Sequence, residues 1–199
     1  MTAPQTHSKM NILGISGSPH VNGNTSRAVQ TALALVDPEK YHTKYISLAN
    51  RNISSCIGCF KCAEKRECIF DDGMNEIYEA LRWCDGLIIG SPVYFGMVSG
   101  QLKTMMDRCV VFRPSYDLPL ELTGKIGCGI ACGAFRNGGQ ETTLQNIHTF
   151  LLQQNMKTIS DGYSFSHAGA TIVGETDDDQ VGLQTIRNQV KNLMLMMEK

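Results

Sequence analysis

Five short apolar runs, each followed by a stretch with helical spacing, recur along a chain of 199 residues. The runs are NILGIS (11–16), YHTKYISL (41–48), DGLIIGS (85–91), KIGCGIAC (125–132) and a weaker MKTIS (156–160). Between them, Ala28, Ala32 and Leu35, then Met74, Ile77 and Leu81, recur on one helical face. Leu102, Met105, Met106, Cys109 and Val110 repeat the pattern, as do Leu144, Ile147 and Leu151. A last helix is expected over about 178–198, with Leu183, Ile186, Val190, Leu193 and Met197 on its apolar side. Asn24 or Thr25 is the expected cap of the first helix, and Asp177–Asp179 an acidic opening turn for the last. Strands that alternate with helices pair in parallel and are covered on both faces.

This pattern predicts an α/β fold: a flavodoxin-like three-layer sandwich around a five-stranded parallel sheet of order 2-1-3-4-5. A single domain over 1–199 is expected, with a flexible leader at 1–9 and a cysteine-rich insertion at 49–73. In such a sheet the ligand lies outside the carboxyl ends of the strands, near strands 1 and 3. The net charge is −1 and no Lys/Arg-rich run is present, which argues against a nucleic-acid partner or a charged membrane surface. No segment approaches the roughly 18 apolar residues of a membrane span. A cytoplasmic protein with reduced thiols is therefore expected.

The loop after strand 1, SGSPHVNGNTS (16–26), has neither G-x-G-x-x-G nor a Walker lysine. It gathers Ser16, Ser18, Asn24, Thr25 and Ser26 at a helix N-terminus, where hydroxyls, amides and free backbone N–H groups suit a compact phosphate. The loop after strand 3 places Pro92, Val93, Tyr94, Phe95 and Gly96 where apolar groups can line a planar ring and backbone N–H groups can reach its edge. The loop after strand 4, CGAFRNGGQE (132–141), adds three glycines and Arg136, with Cys132 at its mouth. Three such loops on one sheet edge predict FMN. No catalytic side chain is demanded, because the flavin carries the chemistry. His148 and His167 have no matched partner in the sequence and read as structural. Asp107–Arg108 reads as an ion pair or helix-end contact.

The stretch CIGCFKCAEKREC (56–68) spaces Cys56, Cys59, Cys62 and Cys68 as C-x2-C-x2-C-x5-C. Three cysteines in so tight a turn can wrap three corners of a [4Fe–4S] cubane, with the fourth on the remaining iron. Gly58 is expected to relieve crowding there. Zinc sites more often separate two C-x2-C pairs, disulfides conflict with a reducing compartment, and a loop without metal stays open. The insertion follows strand 2, which brings it to the flavin's side of the sheet, though reaching the ring can require a partner subunit. The other cysteines, Cys84, Cys109, Cys128 and Cys132, read as small buried hydrophobes, Cys132 having the best claim to touch a flavin.

SPVYFGMVSGQLKTMMDR and GISGSPHVNGNTS together resemble the NADPH-dependent FMN reductase-like branch of the flavodoxin fold. With CIGCFKCAEKREC and RNGGQE added, the chain more closely resembles the iron–sulfur flavoproteins of anaerobic archaea and bacteria. The resemblance runs over about residues 10 to 195. It implies one FMN and one [4Fe–4S] cluster per subunit, a homodimer or homotetramer, and electron exchange with ferredoxin. It also implies Cys56, Cys59, Cys62 and Cys68 as cluster ligands, the 16–26 loop as phosphate site and 92–96 as ring site. His20 stands where relatives often carry arginine, so a cationic contribution to the phosphate site is not implied.

Two rival readings follow. An NAD(P)H-dependent FMN or quinone reductase would carry the cysteine loop without a cluster, and a non-enzymatic carrier would only dock other redox proteins. The proline-bearing segment 111–122 is a weak interface candidate.

Overall fold

A computed structural model describes residues 9–113 and 119–199. The leader expected over 1–9 lies almost wholly outside them, as does the middle of the 111–122 segment. β1 (Met10–Ser16) lies between β2 (Tyr41–Ser47) and β3 (Gly86–Pro92), and β3 pairs in turn with β4 (Ile126–Gly133), all in parallel. With β5 (Lys157–Thr158) beside β4, the order is β2-β1-β3-β4-β5, the flavodoxin-like arrangement expected from the alternation of elements.

The period of two along each strand divides the apolar residues between two cores. Leu13, Ile15, Leu87 and Ile89 face α3 (Met74–Trp83), α4 (Gly100–Arg108) and α5 (Gln140–Gln153). Ile12, Ile88, Cys128 and Ile130 face α1 (Asn24–Ala34) and α6 (Gln180–Met197). β4 is small on its α5 side: a Cβ on Gly127 would meet Leu151 at 2.5 Å, and one on Gly129 would meet Leu144 at 2.9 Å. That stripe lets α5 lie close to the sheet. Two further helical elements are short: a helical turn, α2 (Cys62–Lys65), and a 3-10 turn at Cys109–Phe112 that prolongs α4.

Two local expectations are corrected. The fifth sheet position is not one strand over 156–160 but two pieces: β5 (Lys157–Thr158) pairs with Ile126–Gly127, and β6 (Ala170–Val173) pairs with Ile130–Gly133. The chain leaves the edge between them. That excursion is stitched by buried Asp161, which accepts a hydrogen bond from the His167 N–H and faces His167 Nδ1 at 3.1 Å. His167 thus has a structural partner that the sequence did not reveal. The cap of α1 is Gly23, with no side-chain cap bond. Asn24 is committed elsewhere: its Nδ2 donates to Gly174 O (3.0 Å) and its Oδ1 accepts from Thr176 N (3.1 Å). At α6 the acidic turn acts as expected, with Asp179 accepting from Gly182 N at 2.9 Å. Among the described residues no helix is long and apolar enough to cross a membrane.

Gly90, mid-strand in β3, fixes how near α1 can come. A Cβ there would lie 2.4 Å from Val29 Cγ2 and 3.0 Å from Thr25 Cγ2. Both neighbours are β-branched and stiff in a helix, so α1 itself must move. Gly90→Ala is expected to destabilise by about 1–3 kcal/mol, the usual cost of overpacking, read as a lower urea midpoint. An unchanged midpoint would show that α1 is free to shift.

Candidate functional site

At the carboxyl edge of β1 the expected hydroxyls come together. Ser16, Ser18, Thr25 and Ser26 are buried. Ser16 and Ser26 share a hydrogen bond (3.1 Å), Ser26 Oγ donates to His20 O (3.2 Å), and His20 N donates to Ser18 Oγ (3.0 Å). No side chain caps α1, whose first turn carries Thr25 and Ser26 of this cluster, so its first-turn N–H groups are left without a side-chain cap. Asn24 is directed away, to the 174–176 segment.

Two serines that the sequence reading passed over tie this loop to the next. Ser99 Oγ donates to Gly17 O and Leu102 N donates to Ser99 Oγ, while Ser99 N donates to Ser91 Oγ (3.1 Å). Val93 N donates to Cys132 O at 2.9 Å, joining the strand-3 loop to the strand-4 edge. The Tyr94–Met97 turn closes on paired backbone bonds of 3.0 and 3.1 Å, with Phe95 and Gly96 both at positive φ (52° and 74°). Its tip is apolar and bare: Phe95 is fully exposed, Tyr94 and Met97 partly so. Gly139, at φ 104°, comes so near that a Cβ there would lie 2.7 Å from Gly96 Cα. Only glycine serves both the dihedral and the approach. Pro92, Val93 and Gly96 are half-buried, and Arg136 is exposed beside exposed Phe135. Cys132 lies beneath these loops, and burial pushes its thiol up to about 12 against a lowering hydrogen bond with Thr25. A thiol so placed is neutral and inert at physiological pH.

The four clustered cysteines all line one cavity of about 340 Å³, with Phe60, Phe70, Val110, Val111 and Arg108. None of the eight cysteines is in a disulfide. Three residues in the left-handed region, Gly58 (φ 63°), Phe60 (57°) and Arg66 (56°), turn the chain back on itself within nine positions. A Cβ at Gly58 would meet nothing, so the dihedral, not crowding, calls for glycine. Burial raises the Cys62 thiol above its ordinary range, opposed in part by a backbone hydrogen bond, and charge on Cys68, Cys59 and Cys56 raises it further. The Cys62 sulfur is thus near enough to the other three to feel their charge. Among the described residues no three acidic, His or Cys groups converge tightly enough for a single metal ion. A polynuclear cluster spreads its ligands over several metal atoms, and an all-thiolate, apolar-walled cavity suits that group.

The cavity is not where the topology argument put it. Its floor is the C-terminal end of α4 and the following 3-10 turn, whereas the serine loop and ring loop adjoin the N-terminal end of α4 through Ser99 and Leu102. The insertion starts at the carboxyl edge and then folds down over the helical layer, where Cys62 and Cys68 pack against the core. Leu102, which meets the serine loop, and Asp107, the first α4 residue of the cavity wall, are five residues apart, roughly 7.5 Å along the axis.

A buried ion pair closes the neck of the insertion. Arg108 Nη1 donates to Asp72 Oδ2 (2.8 Å) and to Ser54 O (2.7 Å), and Nη2 donates to Asp72 Oδ1 (3.2 Å). Asp72 also accepts from Ser54 N and Met74 N, both at 3.0 Å. Gly73 N donates to Asn52 O at 3.0 Å. The Arg108 guanidinium covers the Phe70 ring at 5.0 Å. Burial alone would raise the Asp72 carboxyl, but the hydrogen bonds from Arg108, Ser54 and Met74 outweigh it and hold Asp72 below its ordinary range. The Asp107–Arg108 expectation resolves into two contacts: Lys103 pairs with Asp107, and Arg108 with Asp72.

These features describe a flavodoxin-like oxidoreductase with an added cysteine chamber, and comparison with known proteins agrees. Residues 10–171 match the model of the NADPH-dependent FMN reductase family. An iron–sulfur flavoprotein of Methanocaldococcus jannaschii is 43% identical over 188 residues, 92% of this chain and 95% of the relative. One from Methanosarcina thermophila is 35% identical over 189 residues, 95% and 96% of the two chains. Among solved structures, an NADH:FMN oxidoreductase superposes with TM-score 0.68 at 18% identity, covering 94% of this chain and 89% of that one. A WrbA-like flavodoxin from Agrobacterium tumefaciens gives 0.64 at 17% identity, covering 96% and 98%. The chain belongs to the NADPH-dependent FMN reductase family, in its iron–sulfur flavoprotein branch, and is an FMN-dependent oxidoreductase.

The neck makes a pH prediction. Because the folded-state pKa of Asp72 is depressed, its stabilising contribution is complete above the unfolded value of about 4 and disappears as the pH falls through the folded one. Asp72→Asn leaves a buried guanidinium without its partner and is expected to cost about 3–5 kcal/mol at pH 7. Urea unfolding at pH 7 and pH 3 should show the gap between the variant and the unaltered chain narrowing in acid. A gap of equal size at both pH values would remove Asp72 as the titrating group.

Proposed function

We propose that the chain binds a [4Fe–4S] cluster through Cys56, Cys59, Cys62 and Cys68 and FMN at the carboxyl rim, and passes electrons from a low-potential donor such as ferredoxin to an acceptor not yet identified. The observation that carries this reading is the convergence of four thiols on one cavity. The names of the relatives accord with it. When bound, the cluster supplies one-electron transfer and the flavin both one- and two-electron chemistry.

The protein's part is to hold and orient these groups. Ser16, Ser18, Thr25 and Ser26, with the first-turn N–H groups of α1, receive the terminal phosphate. Pro92, Val93, Tyr94, Phe95 and Gly96 flank the ring, and the glycine-bearing 133–139 loop with Arg136 covers its edge. Cys132 forms an uncharged wall beneath them. Asn24 acts at one remove by anchoring the 174–176 segment beside the phosphate loop. No side-chain acid or base is required.

The separation of the two places along α4 favours a homodimer or homotetramer in which one copy's cysteine loop meets another's flavin rim. Exposed Tyr94, Phe95 and Met97 at the rim, and Ile57 and Phe60 on the cysteine loop, offer apolar surface for that contact. The free cysteines suit a reducing cytoplasm.

Iron and acid-labile sulfide measured on anaerobically purified protein test the cluster: about four irons per chain is expected. Cys59→Ala should lose the brown absorbance and keep FMN. Ser18→Ala should weaken FMN binding about tenfold, the loss of one hydrogen bond to a charged group, and leave iron content unchanged. The family description itself favours a second reading, an NADPH-dependent FMN reductase without a cluster. Iron absent even after reconstitution, with rapid bleaching by NADPH, would decide for it.

A further inference from the structure

Several buried polar atoms in the described residues lack a hydrogen-bond partner, among them Tyr45 Oη, His148 Nε2, Gln154 Oε1 and Gln189 Nε2. Only one belongs to a residue lining the cysteine cavity: Nε of Arg108. The side chain is 1% exposed. Its terminal nitrogens are already engaged with Asp72 and Ser54 O. An N–H on a buried guanidinium seldom goes unpaired, because leaving it so costs about 1–3 kcal/mol or more. Such an orphan in a wall of a ligand cavity calls for an acceptor that arrives with the ligand.

The surroundings narrow the acceptor's chemistry. The Arg108 charge is held in place from one side by Asp72, and the face of Phe70 covers it. Four thiols line the same cavity as Arg108. A metal–sulfur cluster with four thiolate ligands is an anion that gains one negative charge on reduction. We propose that Arg108 donates its free Nε–H to the sulfur of a cluster seated in this cavity and, with its fixed charge, raises the cluster's midpoint potential. The proposal rests on the cluster reading above. It adds a role that the cysteine spacing does not contain: a residue about forty positions beyond the last cysteine, on a different element, sets how readily the centre takes an electron. Hydrogen bonds to cluster sulfurs and nearby charge act in that direction because they favour the more negative state.

Arg108→Lys tests it. Lysine keeps a charge for Asp72 but has no Nε–H at that place. After anaerobic reconstitution, iron per chain and the midpoint potential from a titration followed by electron paramagnetic resonance are read together. The variant is expected to take up iron as the unaltered chain does. Its reduced-to-oxidised ratio at a fixed potential should fall about tenfold, which is about 59 mV for one electron. A loaded variant with an unchanged potential overturns the proposal and leaves the cluster reading intact. If Arg108→Lys does not fold, the charge-free pair Asp72→Asn with Arg108→Met replaces it, since swapping both members of a buried pair is often tolerated. The same lowering is expected there, and an unchanged potential again overturns the role of Arg108. If the unaltered chain itself takes up no iron, the cluster reading falls first and this proposal with it. A purely structural Arg108 would shift the urea midpoint of its variants and not the potential.

Discussion

The Arg108–Asp72 pair is the point on which the cysteine insertion depends. About two dozen residues leave the sheet after β2 and must return to start α3, and an excursion of that length is costly to order. The pair closes it at the base. Asp72 gathers donors from both ends of the insertion, and Arg108 adds a bond to Ser54 O, so a single buried carboxylate and a single guanidinium bring residues 54 and 72 together. Among the described residues neither charge has another ion-pair partner. Loss of either leaves the other stranded, which makes the neck all-or-none, not gradually weakened.

The helix that carries Arg108 also bears on the other site. The N-terminal side of α4 meets the phosphate loop through Ser99 and Leu102, and its C-terminal end forms the floor of the cysteine cavity. One rigid element therefore fixes both. A helix of this length transmits position well, but it also keeps the two places apart. The exposed aromatics at the rim and on the insertion leave apolar surface uncovered in the single chain. Separation and exposed surface are both what a protein would show if its electron path ran between copies.

How much of this could be read from the sequence follows from the range of the interactions. The period of two in Leu87–Ile89 and the spacing in Ile186, Val190 and Leu193 are local, and they yielded the sheet order and the helical layers. The cysteine spacing is also local, and all four residues share a cavity. What escaped was set by distant partners. Asn24 looks like a cap in its own neighbourhood, and only the return of the chain at 174–176 claims its amide. The fifth strand looks like a single weak run because its second half, Ala170–Val173, is separated by the Asp161–His167 excursion. Asp107 and Arg108 looked like a pair because they are adjacent, yet each points to a different partner. The downward course of the insertion had no signal short of the packing of Cys62 and Cys68 on the core.

The order of the insertion in the chain alone then follows from its internal balance. Its non-glycine left-handed residues, Phe60 and Arg66, each cost about 1–2 kcal/mol. Cys56 and Cys59 are exposed and contribute little burial, and any thiolate formed at Cys62 is opposed by its own burial and by its three neighbours. Against this stand the neck, the contact of Arg108 with Phe70 and the partial burial of Cys62 and Cys68. The neck fixes the two ends and does nothing for the middle. A cationic metal core, bound as proposed, would reverse that opposition, because each thiolate would then face positive charge before it faced another thiolate. The same four residues would, on the proposed cluster reading, enforce order in the insertion once ligated. Under the proposed cluster reading, folding of residues 56–68 and occupation of the cavity would be one equilibrium, whereas closure of the neck belongs to the folding of the sheet and its helices.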